Sequence, residues 1–297
     1  MEEIREMQKA MDETIQLMEE GRKVEWNNML NLIHLSSMKE SLKTQYMNTS
    51  NINARIRLHH DFSVNQEGWF PWIFRHCGLK NGMCVLEVGC GNGALWKENI
   101  DKIPENISIE LSDKSEGMVR AVQSDLENDQ RFSFRVFDAQ EIPESSGKYD
   151  LVIAGHVLFY CEDVDCALQE ITRVLAPGGR LVAATYGCAH MHEVTDLVQE
   201  FDREIVLSAD HLYEKFGLEN GASLMSPYFK NISCHQYEDA IEISEAEPLI
   251  AYILSCHGNQ NRLLLDKYRE FHEFVMKKVS GGFHIIKDAG VLIGTKK

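Results

Sequence analysis

The sequence predicts an α/β fold with a doubly wound, mostly parallel sheet, and three observations predict it. An apolar strand at Val85–Val88 runs directly into glycines at positions 89, 91 and 93. Further short apolar runs alternate with helical patterns along the chain. Carboxylates follow the second and third of these runs, at Asp113 and Asp138. Strands that alternate with helices are typical of parallel sheets covered on both faces.

The elements follow in order from the apolar runs. The first strand ends at the glycines, and a helix is expected to start at about Ala94. A later helix should end at the Ala-Pro-Gly-Gly segment, residues 176–179. We expect the second to fifth strands at Ile107–Leu111, Phe132–Phe137, Tyr149–Ala154 and Leu181–Thr185.

The turn after the first strand has the composition of a ligand-binding loop. Glycines let the backbone come into contact with a ligand, and a helix that starts directly afterwards aims its unpaired amides at it. Asp113 lies about twenty residues beyond the last glycine, where nucleotide-binding folds place the carboxylate that binds ribose hydroxyls. The pattern indicates a nucleoside-containing ligand.

Four stretches resemble, in residue type and order, motifs of the class I S-adenosylmethionine-dependent methyltransferases. The resemblance covers about 58–297 and implies a seven-stranded sheet whose last strand is antiparallel. It implies three further elements: a helix at Val194–Ile205 and strands at Asn231–Tyr237 and Phe283–Gly294. The four stretches are Glu87–Gly93, Ser112–Met118, Asp138–Gln140 and Arg173–Gly179.

The resemblance also implies S-adenosyl-L-methionine as cofactor, and roles for particular residues. The loop at 89–91 would approach the methionine portion, with Glu87 orienting the loop or reaching the amino group through water. Asp138 would accept a hydrogen bond from the adenine amine, although an acid here is also typical of a helix or turn cap. The implied cofactor-binding residues are Glu87, Gly89, Cys90, Gly91, Asp113, Met118, Asp138, Ala139 and His156.

Catalytic candidates come from the segments after the fourth and fifth strands, because reacting groups in such sheets lie beyond the carboxyl ends of the strands. His156, His190 and His192 are candidate bases, since a histidine of near-neutral pKa can take a proton from a nucleophile. Tyr160 and Tyr186 are candidate orienting groups. Taken singly, each histidine fits a hydrogen-bonded wall residue better than a base, and a thiolate or carbanion acceptor needs no base.

The charge and the composition limit the classes of partner and ligand that the sequence predicts. The net charge of −16 disfavours nucleic acid, so a small-molecule substrate is predicted. No apolar run reaches membrane-spanning length and the N-terminus is acidic, which predicts a soluble, cytoplasmic protein. The eight cysteines include no Cys-x-x-Cys pair, which favours reduced, mostly buried thiols and predicts no metal site. A thiol cluster that captures a metalloid is the alternative.

Two additions flank the predicted domain at 51–297. Residues 1–50 carry apolar positions at helical spacing and predict a helical extension that packs on the domain or forms a homodimer. This extension loosely resembles the coiled helix of MerR-type regulators. Residues 240–281 predict a helical cap insertion, with helices at Glu247–Cys256 and Leu263–Val279, and Arg57–Phe74 is a candidate lid.

Two other functions are compatible with these residues. One is a regulatory or sensor module that binds S-adenosylmethionine without transferring a methyl group. The other is a methyltransferase that acts on protein or tRNA. A closed pocket would favour a small acceptor, whereas an open, basic-rimmed groove would favour a macromolecule.

Overall fold

The computed structural model describes residues 54–208 and 211–297. The predicted N-terminal helices and the linker after them lie outside these ranges. The described chain forms two compact units. We call 65–190, 211–239 and 287–297 the sheet unit, and 54–64, 191–208 and 240–286 the second unit. The predicted domain division, at 1–50 and 51–297, stays a prediction.

The sheet unit contains a seven-stranded sheet with the order β3-β2-β1-β4-β5-β9-β6. Strands β1 to β5 are parallel, and β9 runs antiparallel to both β5 and β6. This confirms the predicted fold class. The strands are β1 Cys84–Val88, β2 Ser108–Asp113, β3 Phe132–Val136, β4 Tyr149–Gly155, β5 Leu175–Tyr186, β6 Phe229–Tyr237, β7 Ala240–Ile243, β8 Phe283–Ile286 and β9 Ala289–Lys296.

The central strands are predominantly apolar because both faces of the sheet are buried. Leu86 and Val152 pack in one apolar cluster, whereas Val85 and Leu151 pack in the other. Helices cover both clusters. In chain order the helices of the two units are α1 Trp69–Cys77, α2 Ala94–Lys97, α3 Glu116–Leu126, α4 Val164–Val174, α5 His192–Phe201, α6 Leu212–Lys215, α7 Gly221–Met225, α8 Ala246–Ser255, α9 Gln260–Leu264 and α10 Tyr268–Val279.

Strand β5 is longer than predicted. The Ala-Pro-Gly-Gly segment belongs to the strand as a bulge, because Tyr149 pairs with Leu175 while Leu151 pairs with Arg180. Gly178 allows this bulge with a φ of 77°. Helix α4 ends at Val174, and β5 begins at the next residue, Leu175, so the helix passes directly into the strand.

The predicted single strand at Phe283–Gly294 is wrong, because two strands occupy this stretch. Strand β8 pairs with β7 in a separate two-stranded antiparallel sheet within the second unit, whereas β9 completes the large sheet. The change of sheet falls at Lys287 and Asp288. The predicted insertion is therefore not wholly helical, although α8 and α10 confirm its two helical patterns.

The second unit has its own apolar core. Side chains of α5, α8 and α10 pack with those of β7 and β8, and Leu58 from the helical stretch at 54–61 joins them. An isolated bridge between Ser63 and Ile241 extends the small sheet by one pair. Within the described ranges, no helix is both long enough and apolar enough to cross a membrane.

Candidate cofactor and acceptor site

The carboxyl ends of the parallel strands lie side by side at one edge of the sheet. Val88 pairs with Ser112 of β2 and with Ala154 of β4. Asp113 in turn pairs with Val136 at the end of β3. The loops that follow β1 to β4 therefore leave the sheet together. In an open α/β sheet this edge is where ligands bind.

The loop after β1 has three glycines in the left-handed region, with φ of 70° at Gly89, 54° at Gly91 and 74° at Gly93. A Cβ at Gly89 would lie 2.6 Å from Val157, and one at Gly93 would lie 2.3 Å from Val122. A Cβ at Gly91 would meet nothing within 4 Å. Two of the glycines thus allow close packing, and the third leaves backbone open to a ligand.

Glu87 lies beneath this loop with only 4% of its surface exposed. Its Oε2 accepts a hydrogen bond of 2.5 Å from the indole Nε1 of Trp96. Burial raises the pKa of Glu87 to about 7, against the opposing effect of the indole hydrogen bond. The predicted role of orienting the loop is compatible with this position, and it stays a prediction.

Asp113 points at the glycine loop. Its Oδ2 accepts from the amide of Gly91 at 3.0 Å, and its Oδ1 accepts from the amide of Ser115 at 2.8 Å. The amide of Cys90 donates to the carbonyl of Ser112 at 2.9 Å, which ties the same loop to β2. The structure therefore brings together the glycine loop and the predicted ribose-binding acid.

Asp138 follows β3 and makes the turn-capping contacts that were the alternative to an adenine contact, together with an ion pair that the sequence does not indicate. Its Oδ2 pairs with Nζ of Lys114 at 2.7 Å, and its Oδ1 accepts from the backbone and side-chain nitrogens of Gln140 at 2.9 and 3.0 Å. These hydrogen bonds keep the pKa of Asp138 below its usual value although burial opposes them. Asp138 caps its own turn, and its predicted adenine contact stays a prediction.

The remaining cofactor candidates occupy the same edge of the sheet. Ala139 is buried in the turn after β3. Met118 is partly buried in the first turn of α3, where its amide donates to the capping hydroxyl of Ser115. Cys90 is buried, and burial raises the pKa of its thiol above the usual range. Among the described residues, no group of three or more His, Cys, Asp or Glu side chains could hold a metal ion.

His156 follows β4 directly and adopts a φ of 54°. Left-handed backbone at a non-glycine residue is uncommon and is concentrated at functional sites. Its amide donates to the carbonyl of Ala184 at 3.0 Å, which fixes this conformation to β5. Burial lowers the pKa of the imidazole to about 4, so the ring is neutral at pH 7.

The other catalytic candidates have different surroundings. Tyr186 ends β5, and burial raises the pKa of its phenol to about 12. The ring of His190 lies 5.3 Å from that of Tyr186. Tyr160 is 66% exposed on the short helical turn after β4. His192 belongs to the second unit as the first residue of α5, with its side chain 47% exposed.

Trp69 is a site residue that the sequence did not single out. It starts α1, and its ring lies 5.3 Å from that of His156 and 5.6 Å from that of Trp72. The available signal was the aromatic density of 57–74, within which Trp69 could not be told from the core residues Trp72 and Phe74. Trp72 is buried, and Phe74 packs edge-on against Trp96.

The site fits the adenosyl cofactor that the resemblance implies. It combines an open backbone position at Gly91, a carboxylate beside it at Asp113, and a second acid after β3. Comparison with known proteins agrees. Residues 86–183 match the family model described as "Methyltransferase domain". These residues run from β1 into β5 and include the glycine loop and both acids.

The chain is also similar to curated proteins and to solved structures that are named methyltransferases. The chain is 32% identical over 146 residues to the human mitochondrial ubiquinone biosynthesis O-methyltransferase, covering 46% of this chain and 37% of that protein. It is 25% identical over 201 residues to malonyl-[acyl-carrier protein] O-methyltransferase 1 of Ilyobacter polytropus, covering 67% and 70%. Its fold is similar to that of Haemonchus contortus phosphoethanolamine N-methyltransferase 2 with bound S-adenosyl-L-methionine, at 15% identity and a TM-score of 0.52, covering 86% and 59%.

The fold and the site together define a class I α/β methyltransferase architecture. Residues 86–183 match a methyltransferase domain, and together with the fold this supports a class I S-adenosylmethionine-dependent methyltransferase with S-adenosylmethionine as its cofactor. The chain spans little more than a third of the length of the human relative.

Proposed function

We propose that this protein transfers a methyl group from S-adenosylmethionine to a small-molecule acceptor. The observation that carries the proposal is the hydrogen bond of 3.0 Å between the Asp113 carboxylate and the Gly91 amide. It joins the open backbone position and the ribose-binding candidate in one site. A single ligand with an adenosine and an amino-acid portion could then contact both.

The residues of the glycine loop would hold the methionine portion, with Gly91 providing backbone approach and Glu87 supporting the loop from below. Asp113 would accept hydrogen bonds from the ribose hydroxyls, since each carboxylate oxygen has further lone pairs beyond its one amide contact. Asp138 and the Ala139 amide would hold the adenine edge, beside Met118. When bound, the cofactor supplies an electrophilic methyl group on a sulfonium.

The protein's part in the reaction is mainly to align and desolvate the reacting atoms, because methyl transfer is an in-line displacement. His156 is a weak proton acceptor at its lowered pKa of about 4. It is better suited to orienting a nucleophile through a neutral ring nitrogen than to storing a proton. His190, beside Tyr186, is the alternative base, and the exposed His192 and Tyr160 are weaker candidates.

Two observations support a small acceptor over a macromolecule. The net charge of −16 opposes binding to tRNA. One relative is named for ubiquinone biosynthesis, which concerns a small molecule, although the other is named for an acyl-carrier protein. We also propose a cytoplasmic location, and a homodimer formed through the N-terminal segment at 1–50.

The test is turnover. The purified full chain is incubated with methyl-labelled S-adenosylmethionine and, in separate arms, a small-metabolite extract, a protein extract and total tRNA. We expect S-adenosylhomocysteine and labelled product in the metabolite arm. Label in the protein or tRNA arm alone would overturn the small-molecule proposal. Tight cofactor binding without product in any arm would favour a sensor.

An Asp113→Asn variant serves as the negative control, because it keeps the shape of the side chain and removes the charge. Asp125→Asn is the matched variant. Asp125 is half-exposed in the same unit, and its carboxylate pairs with Lys97. We expect Asp125→Asn to behave like the unmodified protein. Equal turnover in both variants would remove Asp113 from the cofactor site.

A further inference from the structure

Four aromatic rings line the sheet edge beyond β4 and β5, and we call them the aromatic wall: Trp69, His156, Phe159 and Tyr186. The ring of His156 lies 5.3 Å from Trp69, 5.9 Å from Phe159 and 6.2 Å from Tyr186. Phe159 and Tyr186 are 5.1 Å apart. These separations are those of aromatic pairs in contact.

The wall adjoins the cofactor loop. Val157, the neighbour of His156, is the residue that a Cβ on Gly89 would strike. The left-handed backbone of His156 and its amide bond to Ala184 fix this end of the wall to the sheet. Within the wall Phe159 is buried, whereas Trp69, His156 and Tyr186 are partly exposed. The wall therefore offers ring surface beside the loop that is expected to hold the cofactor.

The wall lacks charged partners. Among the described residues, no Asp, Glu, Lys or Arg side chain makes a hydrogen bond or ion pair with any of its four members. Burial alone lowers the pKa of His156, with no contribution from a charged group. The pKa of Tyr186 is raised by burial and by the neighbouring Tyr160 and Tyr213, again without a cation or a carboxylate.

This environment discriminates between classes of acceptor. A carboxylate or phosphate acceptor needs an arginine or lysine to replace its water. An ammonium acceptor would lie beside the sulfonium of the cofactor, and no carboxylate of the described residues bonds to the wall to offset the repulsion. The carboxylates of Glu219 and Asp288, near Gly187, accept from the backbone amides of Cys188 and Ala189 instead. A neutral acceptor requires neither. Among neutral molecules, a flat aromatic ring gains most from such a wall, because offset-stacked and edge-to-face contacts add to the apolar burial.

We infer that the methyl acceptor is a neutral, planar aromatic molecule held against the wall formed by Trp69, His156, Phe159 and Tyr186. The inference rests on the proposed function, since it names the acceptor class of the same site. His156 acts here as a positioning residue whose neutral ring nitrogen can hydrogen-bond a substituent on the acceptor. Trp69 and Tyr186 supply the ring surface that selects for an aromatic molecule.

Three probes of matched size test the inference. The full chain is saturated with S-adenosylhomocysteine and titrated by calorimetry with 2-naphthol, 2-naphthoate and decahydro-2-naphthol. We expect 2-naphthol to bind about tenfold more tightly than either of the others, the scale of one good aromatic contact plus its buried area. Equal or tighter binding of the carboxylate would overturn the neutral assignment. Equal or tighter binding of the saturated ring would overturn the aromatic assignment.

Variants of the wall make the test specific. Trp69→Leu and Tyr186→Leu should each weaken 2-naphthol binding about tenfold, whereas Trp69→Phe and Tyr186→Phe, which keep a ring, should stay within about threefold of the unmodified protein. Affinity for S-adenosylhomocysteine should be unchanged in all four, which controls for folding. Equal losses in the leucine and phenylalanine variants would overturn the inference. Failure of the unmodified chain to bind S-adenosylhomocysteine would instead contradict the proposed function.

Discussion

Asp113 joins two parts of the site through hydrogen bonds of ordinary length, to Gly91 on one side and Ser115 on the other. Its contribution can be measured directly. Asp113→Ala should weaken S-adenosylmethionine binding by about 1–3 kcal/mol, because the ribose hydroxyls and the Gly91 amide then lose their hydrogen-bond acceptor. Isothermal titration calorimetry gives the value, and an unchanged affinity would exclude Asp113 from ribose binding.

Glu87 is a second residue whose surroundings set a measurable property. Its pKa rises from the ordinary 4.5 to about 7 in the folded protein because of burial. The folded state therefore holds a proton that the unfolded state releases between these values. The free energy of unfolding therefore falls as the pH rises from about 4.5 to 7, because the unfolded state releases the proton of Glu87 more readily.

Glu87→Gln tests this linkage, since glutamine keeps an oxygen for the indole of Trp96 and cannot titrate. The unmodified protein should lose about 2–3 kcal/mol of unfolding free energy relative to Glu87→Gln between pH 5 and pH 8. Urea unfolding of both proteins at the two pH values measures the difference. A constant gap would show that Glu87 stays ionised across this range.

At the scale of elements, glycines in the turn from β1 to α2 have two different roles: Gly91 leaves space for a ligand, and Gly93 allows close packing against α3. Gly91→Ala meets no atom within 4 Å and should cost about 1–2 kcal/mol of stability through its left-handed φ. It should also weaken S-adenosylmethionine binding, because the added methyl group occupies the open position. Thermal unfolding and calorimetry on the same protein separate these effects.

Gly93→Ala provides the contrast. Its new Cβ would lie 2.3 Å from the Val122 side chain of α3, so the substitution should lower the stability of the folded protein. We expect a larger loss of stability than for Gly91→Ala, by about 1–3 kcal/mol. The double variant Gly93→Ala/Val122→Ala should recover part of it. No recovery would show that backbone strain, and not the clash, sets the cost.

The strands of the sheet were predictable because buried parallel strands are predominantly apolar, as at Val85–Val88 and Tyr149–Ala154, where Glu87 and Asp150 are the exceptions. The bulge within β5 was not, because it depends on which residues of β4 lie opposite Leu175 and Arg180. The division of Phe283–Gly294 between two sheets was hidden for the same reason. Both features are set by strand pairing between residues that are distant in sequence.

The candidate site also has features that the sequence predicts and features that depend on tertiary packing. The glycine loop and the two acids were predictable from spacing, since each lies directly after a strand. The partners of those acids were not. The pairing of Asp138 with Lys114 and the burial of Glu87 against Trp96 depend on tertiary packing. Trp69 joins the wall through α1, whose position no local pattern reveals.

At the scale of the whole chain, a buried ion pair lies where the chain leaves and re-enters the sheet unit. Lys287 pairs with Asp239, and their side chains are 8% and 0% exposed. The backbone amide of Lys287 also donates to the carbonyl of Asp239 at 3.2 Å. The amide of Asn65 donates to Oδ1 of Asp239 at 3.0 Å. Three distant segments of sequence meet at this pair.

Lys287→Met should reduce the unfolding free energy by about 3–5 kcal/mol, because it removes the cation that faces a fully buried carboxylate. The double variant Lys287→Met/Asp239→Asn should be more stable than Lys287→Met alone, since no buried charge is then left uncompensated. Chemical denaturation of the four proteins completes the cycle. A double variant less stable than either single variant would contradict this account.

Strands β6 and β9 are partners, with Tyr237 directly opposite Ala289. Without the residues between them they would be an ordinary hairpin, and everything from 240 to 286 is in effect an outgrowth from its tip. Length can be added to or removed from such an outgrowth without changing the register of either strand. Relatives with shorter or longer outgrowths could therefore share one catalytic sheet while differing widely in the residues they carry beyond it.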